Sequence, residues 1–142
     1  MRHRNTRRRR RGGPAGGRPT PPQWRHRIGP TVVDLTRTHI AATLGDSQLA
    51  ITTHHRATTT NAWRQLPAEH RAAHLIDITR AHLDTGDPAA AGRALITADH
   101  IAIAETRTRP AARTAPIAIL RAGPTPADIT QLATAIGLTT AP

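Results

Sequence analysis

One stretch in the middle of the chain, Pro67 to Ile101, constrains the fold more than any other. It reads PAEHRAAHLIDITRAHLDTGDPAAAGRALITADHI, and its apolar residues have the spacing of two α-helices separated by a tight turn. Gly86 predicts the left-handed residue after the first helix, because glycine adopts a positive φ without a steric penalty. Asp87 predicts the N-cap of the second helix and Pro88 its first residue, where a missing N–H is tolerated. The stretch therefore predicts an antiparallel helical hairpin.

A similar pattern precedes this hairpin. From Thr31 onward the chain reads TVVDLTRTHIAATLGDSQLAITTHHRA, with a turn at Gly45-Asp46 that matches Gly86-Asp87. In both segments an alanine follows the aspartate by four residues, and a small side chain there lets two helix axes approach closely. The apolar positions that we expect in the first helix are Val32, Val33, Leu35 and Ile40. The predicted hairpin-packing positions of both segments are Gly45, Ala50, Leu75, Ile78, His82, Gly86, Ala91, Leu95 and Ala98.

A third hairpin is predicted after residue 110, with helices at residues 111–121 and 128–136. Pro116 is expected to shorten or kink the first of these helices, since proline lacks the N–H of a helical hydrogen bond. Thr125 and Pro126 predict the N-cap and first residue of the second helix, and Gly137 predicts its end. Residues 58–66 are predicted to be a linker between the first two hairpins, and Trp63 within it is expected to pack between them.

The order of large, small and turn residues in the central hairpin resembles the tetratricopeptide repeat. Leu75 and Ile78 occupy its two large positions, His82 its aromatic position, Gly86 its turn and Ala91 its close helix contact. The chain departs from the repeat at His82, and the two turn glycines lie 41 residues apart rather than about 34. The resemblance implies an all-α fold of antiparallel helical hairpins, at about residues 31–57, 67–103 and 110–137, stacked as a short tetratricopeptide-like repeat array.

Positive charge is concentrated in the first 27 residues, which hold ten of the 20 arginines and no acidic residue. Residues 1–23, rich in Arg, Gly and Pro, predict a disordered tail, because they bury too little apolar surface to offset the entropy of ordering. A helical-repeat domain is expected at residues 24–142. The tail predicts weak, non-specific contacts with nucleic-acid phosphates through Arg7, Arg8, Arg9, Arg10 and Arg11. The alternatives are a purely solvated tail, or a segment read from a start site or frame other than the native one.

Candidate catalytic and metal-binding residues are few. The chain has no cysteine, which excludes disulfides and thiolate metal sites. His70 and His74 lie one helical turn apart, a spacing that can bind a metal ion, but the H-E-x-x-H pattern is absent and we expect both rings to be solvated. No Gly-rich phosphate loop follows a strand and opens a helix. We therefore expect no enzymatic activity, no catalytic residue, no metal and no cofactor.

A wider resemblance covers roughly the last four-fifths of the chain, from Trp24 onward. Through LPAEHRAAHLIDITRAHLDTGD and ALITADHIA it is similar to the C-terminal helical-repeat region of large bacterial helix-turn-helix transcriptional regulators, although nothing here resembles their DNA-binding domain. The resemblance implies a sensing module in which the first helix of each hairpin lines a groove. By this resemblance His39, Arg80 and Asp84 are expected to face the groove, where Arg80 would bind a carboxylate.

These patterns lead to two hypotheses of different class. The first is a non-enzymatic module of a transcriptional regulator, present here whole or as a fragment, that binds a peptide, a protein or a small effector in its groove. The second is a non-specific nucleic-acid-binding protein that acts through its Arg-rich tail, with the helical body as a platform for a homodimer. The chain has no run of about 18 apolar residues, so we expect no membrane partner and a cytoplasmic location.

Overall fold

The computed structural model describes residues 29–124 and 126–138, and within them the chain is entirely helical, with eight α-helices and no strand. The predicted all-α class is thereby confirmed. The Arg-rich tail lies outside the described residues, and the stacking of hairpins as a repeat array stays a prediction. The helices are α1 Pro30–Leu44, α2 Ser47–Thr58, α3 Asn61–Gln65, α4 Ala68–Asp84, α5 Pro88–Ile101, α6 Ile103–Thr108, α7 Pro110–Ala122 and α8 Asp128–Ala135.

The two Gly-Asp turns have the predicted geometry. Gly45 and Gly86 adopt φ values of +81° and +78°, and each donates its N–H to a carbonyl of the helix that it ends. The aspartate that follows caps the next helix: Asp46 accepts a hydrogen bond from the N–H of Leu49 at 3.1 Å, and Asp87 accepts one from Ala90 at 3.0 Å. Each turn therefore satisfies free backbone groups of two helices at once.

Helix α4 is the centre of the packing. It pairs along its length with α5, and it also contacts α1, α2, α6 and α7. Helices α1 and α2 form a second closely packed pair, and α7 packs against α5, α6 and α8. Helix α4 therefore joins the pair of α1 and α2 to the rest of the described chain, and different sides of α4 pack into different parts of the core.

The core has few large side chains. The predicted packing positions Ala50, Ile78, Ala91, Leu95 and Ala98 are all completely buried. One cluster joins α4, α5, α7 and α8, and a second joins α1, α2, α4 and α5. The second cluster consists, besides one isoleucine, of alanines: Ala41, Ala50, Ile78, Ala81 and Ala94. Small residues at these contacts allow close helix approach but bury little apolar area each.

The predicted apolar face of α1 is wrong at Val33 and Ile40, whereas Val32 and Leu35 are half-buried. Val33 and Ile40 are 37% and 50% exposed, and the buried residues of α1 are Thr31, Asp34, Thr38 and Ala41. The polar residues can be buried because they find partners on α2 and, for Thr31, at Thr60 just after it. The hydroxyl oxygens of Thr38 and Thr53 lie 2.6 Å apart, and Arg56 forms an ion pair with Asp34 at 3.0 Å. Satisfied polar contacts thus replace the expected aliphatic interface between α1 and α2.

The connecting segments contain helices that the sequence patterns did not predict. The expected linker at residues 58–66 contains α3, whose N-terminus is capped by the Thr60 hydroxyl, which accepts a hydrogen bond from the Trp63 N–H at 3.3 Å. Trp63 packs against the larger core cluster, which contains no residue of α1 or α2. Helix α6 lies between α5 and α7, and Asp99 of α5 anchors it through the Thr106 hydroxyl and the Arg107 guanidinium.

The last two helices have nearly the predicted bounds, residues 111–121 and 128–136, but differ from the expectations at two prolines. Helix α7 continues through Pro116 without being shortened, and the Pro116 ring is completely buried, so apolar burial compensates for the missing hydrogen bond. Helix α8 begins at Asp128, as the predicted range does, and Pro126 precedes the helix instead of being its first residue; its carbonyl accepts a hydrogen bond from the Ile129 N–H. Thr125, the predicted N-cap, lies outside the described residues. Gly137 ends the helix at φ +78°, as predicted.

No helix in the described part of the chain is both long and apolar enough to cross a membrane.

Candidate functional site

A groove runs across the face formed by α1, α4 and α7. Its larger part is a cavity of about 410 Å³ between α4 and α7. The α7 side of this cavity is built from small residues, and the α4 side supplies larger ones. The lining residues are Ile76, Thr79, Arg80, Leu83, Asp84, Ala111, Thr114, Ala115, Ala118 and Ala122.

A neighbouring cavity of about 370 Å³ extends the groove to α1. It adds Ala42, Thr43, Gly45 and Asp77 to four residues that line the first cavity as well. The shared residues are Ile76, Arg80, Asp84 and Ala111. Because the two cavities share these walls, they form one continuous groove of a size that suits a short peptide segment or a small molecule.

Of the three residues predicted to face a groove, Arg80 and Asp84 line both cavities of this one. His39 lines a different cavity, of about 340 Å³, between α1 and α4. Its Nδ1 is 2.9 Å from Oδ2 of Asp77, and this contact links α1 to α4. The Ser47 hydroxyl donates to Oδ2 of Asp84 at 3.4 Å, which links α2 to the same helix. Chain-distant polar residues thus meet along one edge of α4.

The guanidinium group of Arg80 is largely available to bind a ligand in the groove. Its side chain is 79% exposed, and its Nε lies 3.9 Å from Oδ2 of Asp84, near the limit for an ion pair. Exposed ion pairs of this kind contribute about 0–1 kcal/mol to the free energy of unfolding, since water and salt screen the two charges. The planar guanidinium carries five N–H donors that match a carboxylate or phosphate. Arg80 can therefore exchange Asp84 for an anionic ligand at little cost.

The sequence patterns did not predict a histidine cluster between α2 and α4. The histidine pair consists of His54 on α2 and His74 on α4, with Nδ1 of His54 only 2.7 Å from Nε2 of His74 and their ring centroids 4.9 Å apart. Trp63 lies edge-on to His74 at 5.2 Å, and His55 lies 5.4 Å from His54. The expectation that His74 is solvated is wrong: it is 5% exposed. His70, one turn earlier, is exposed as expected.

The surroundings of the histidine pair favour neutral rings. Burial, together with the neighbouring His55 and His82, lowers the pKa of His54 to about 4. Burial, together with His54, lowers the pKa of His74 to about 3. Burial also lowers the pKa of His82, although Asp87 opposes this shift. At neutral pH one ring of the pair donates a hydrogen bond and the other accepts it, and the contact ties α2 to α4.

Within residues 29–124 and 126–138, no group of three or more His, Asp or Glu side chains is placed to hold a metal ion. The histidine pair acts as a packed hydrogen-bonded contact between helices. The five arginines of the tail that were predicted to contact nucleic acid, residues 7–11, lie outside the described residues.

Comparison of the chain with protein-family models, with curated proteins and with solved structures finds no significant match.

Proposed function

We propose that this chain is a non-enzymatic interaction module of a cytoplasmic bacterial transcriptional regulator, and that it binds a peptide, a protein segment or a small effector in the groove of α1, α4 and α7. The observation that carries the proposal is the position of Arg80, a weakly paired and exposed cation above an alanine-rich wall. The tetratricopeptide-like order of residues in the central hairpin also supports a binding role, because stacked helical hairpins present such grooves to extended ligands.

The lining of the groove indicates the chemistry of its ligand. Ala111, Ala115 and Ala118 leave room for an aliphatic side chain on α7, and Ile76 supplies apolar contact from α4. Arg80 provides the single cation that lines the groove within the described residues. A carboxylate next to an aliphatic group satisfies both features, since Arg binds carboxylates in a bidentate geometry. A peptide with a free C-terminal carboxylate or an acidic side chain meets this description.

The test uses an array of random ten-residue peptides, each presented with a free C-terminal carboxylate or as the amide. We expect the wild-type chain to bind a subset of carboxylate peptides, and Arg80→Ala to weaken binding at least about tenfold, as loss of a charged contact does. Arg93→Ala is the matched control, because Arg93 is an exposed arginine on α5 that does not line the groove. Equal binding by wild type and Arg80→Ala would overturn the role of Arg80.

A steric variant tests the groove independently of charge. Ala118 is exposed and lines the groove, so Ala118→Phe fills it without disturbing the core. We expect this variant to lose peptide binding and to keep the helical circular dichroism spectrum. Ala104→Phe is the control, since Ala104 is exposed on α6 and does not line the groove. Retained binding by Ala118→Phe would show that the ligand binds elsewhere.

A second candidate function rests on the charge distribution. Ten arginines and no acidic residue in the first 27 positions form a segment that suits non-specific binding of nucleic acid, whereas the rest of the chain is nearly neutral. Deletion of residues 1–23 is expected to abolish binding of a duplex DNA probe, and binding by the full chain is expected to fall steeply with salt concentration. Undiminished DNA binding after the deletion would exclude the tail as the binding element.

A further inference from the structure

Helix α1 carries an exposed stripe that is separate from the groove. The α1 stripe consists of Val33, Arg37, Ile40 and Leu44, whose spacing of four, three and four residues places them along one line of the helix. Val33 is 37% exposed, Ile40 is 50% and Leu44 is 78%. This spacing is that of a helix–helix seam, in which two or more helices interlock through residues at such positions.

Leu49 on α2 widens the apolar surface beside the stripe. It is 48% exposed, and it lines a cavity of about 350 Å³ between α1 and α2 together with Ile40 and Leu44. A fully exposed aliphatic residue has a solvent-accessible area of about 200 Å². From their exposed fractions, Val33, Ile40, Leu44 and Leu49 together expose roughly 400 Å², which is within the size range of functional apolar patches. Two copies together supply roughly 800 Å² of apolar area, close to the apolar part of a standard interface of about 1,600 Å².

The charges around the patch are complementary to those of a second copy. Arg37 and Asp46 line the same cavity at opposite ends of the segment that holds Ile40 and Leu44. Arg56, the other cation of the cavity, is already paired with Asp34. Within the described part of the chain Arg37 and Asp46 form no ion pair, and Asp46 caps α2.

We propose that the α1 stripe and Leu49 form the interface between two copies of this chain, related by a two-fold axis that passes between Ile40 and Leu44 of antiparallel α1 helices. In this arrangement Ile40 lies opposite the partner's Leu44. The same axis places Arg37 beside the C-terminal end of the partner's α1, where Asp46 lies in the turn to α2. A two-fold interface is self-complementary, so the contact between Arg37 and Asp46 occurs twice. The groove of α1, α4 and α7 shares no residue with this interface.

The first experiment is sedimentation equilibrium of the 142-residue chain over about 1 to 100 µM, a range in which a dimer of micromolar affinity dissociates. We expect wild type to be a dimer and Leu44→Asp to be at least about tenfold weaker in self-association, because it buries a charge at the centre of the interface. Ile103→Asp is the matched control, since Ile103 is 60% exposed on α6, and it should remain a dimer. A monomeric wild type, or a Leu44→Asp variant that self-associates as tightly as wild type, would overturn the proposal.

A charge-reversal pair tests the geometry of the interface. Arg37→Asp and Asp46→Arg each place like charges opposite one another in a homodimer, so each alone is expected to be largely monomeric. A mixture of the two variants restores both ion pairs, and it should form a heterodimer. Asp87→Arg controls for the lost helix cap, because Asp87 caps α5 as Asp46 caps α2, and it should not affect dimerisation. A mixture that stays monomeric would refute the antiparallel arrangement.

Discussion

The histidine pair of His54 and His74 predicts that this protein loses stability in mild acid. The unfolded chain protonates a histidine with a pKa near 6.5, whereas the folded chain has pKa values of about 4 for His54 and about 3 for His74. Below about pH 6.5 the unfolded state therefore binds more protons than the folded state, and the free energy of unfolding falls as the pH falls. The stabilisation is present in full above pH 6.5 and is lost progressively as the pH falls towards the folded-state values.

The magnitude follows from proton linkage. For a histidine that is protonated only in the unfolded state, the free energy of unfolding falls by about 1.4 kcal/mol for each pH unit below the pKa of the unfolded state. Between about pH 7.5 and pH 5 this amounts to about 2 kcal/mol for one histidine. Because His54 is half-buried and shares its contact with His74, we expect about 2–4 kcal/mol for the two together. That is a large part of the ~5–15 kcal/mol that stabilises a typical domain.

The assay is urea unfolding, followed by circular dichroism, of wild type and of the double variant His54→Gln/His74→Gln at several pH values. Glutamine keeps a hydrogen-bonding group at each position but cannot take up a proton in this range. Wild type is expected to lose about 2–4 kcal/mol more than the double variant between about pH 7.5 and pH 5. His70→Gln is the control for removal of an imidazole outside the pair, since His70 is exposed and lies one turn before His74 on the same helix. If wild type and the double variant differ by a constant amount at every pH, the reasoning is refuted.

Two further predictions concern the hairpins themselves. Ile78→Ala is expected to destabilise the protein by about 2–5 kcal/mol, because Ile78 is completely buried at the contact of α4 with α1 and α2, and the other buried members of its cluster are alanines, too small to fill the space. A loss below about 1 kcal/mol in chemical denaturation would contradict that packing. Gly86→Ala should lower the free energy of unfolding by about 1–2 kcal/mol, since an alanine at φ +78° is strained. A melting temperature equal to that of wild type would contradict the turn geometry.

The local features of this fold could be predicted from the sequence because they depend on residues within one helical turn of each other. Gly86 ends α4 and Asp87 caps α5 through contacts that span three or four positions, and Gly45 and Asp46 act in the same way. The small residues that follow each turn were also predicted to pack, and Ala50 and Ala91 are completely buried. Backbone sterics and hydrogen bonds of this range are specified by residue type.

The tertiary structure alone decided which faces are buried. The aliphatic residues of α1 predicted which face of that helix lies in the core. Thr38 and Asp34 are buried instead, because they pair with Thr53 and Arg56, which are more than ten residues away in sequence. The same holds for His74, whose ring is covered by His54 and Trp63. The sequence by itself determined where the helices turn and how they are capped. The packing of helices that are distant in the chain determined which side chains face water, because burial depends on neighbours that no local pattern specifies.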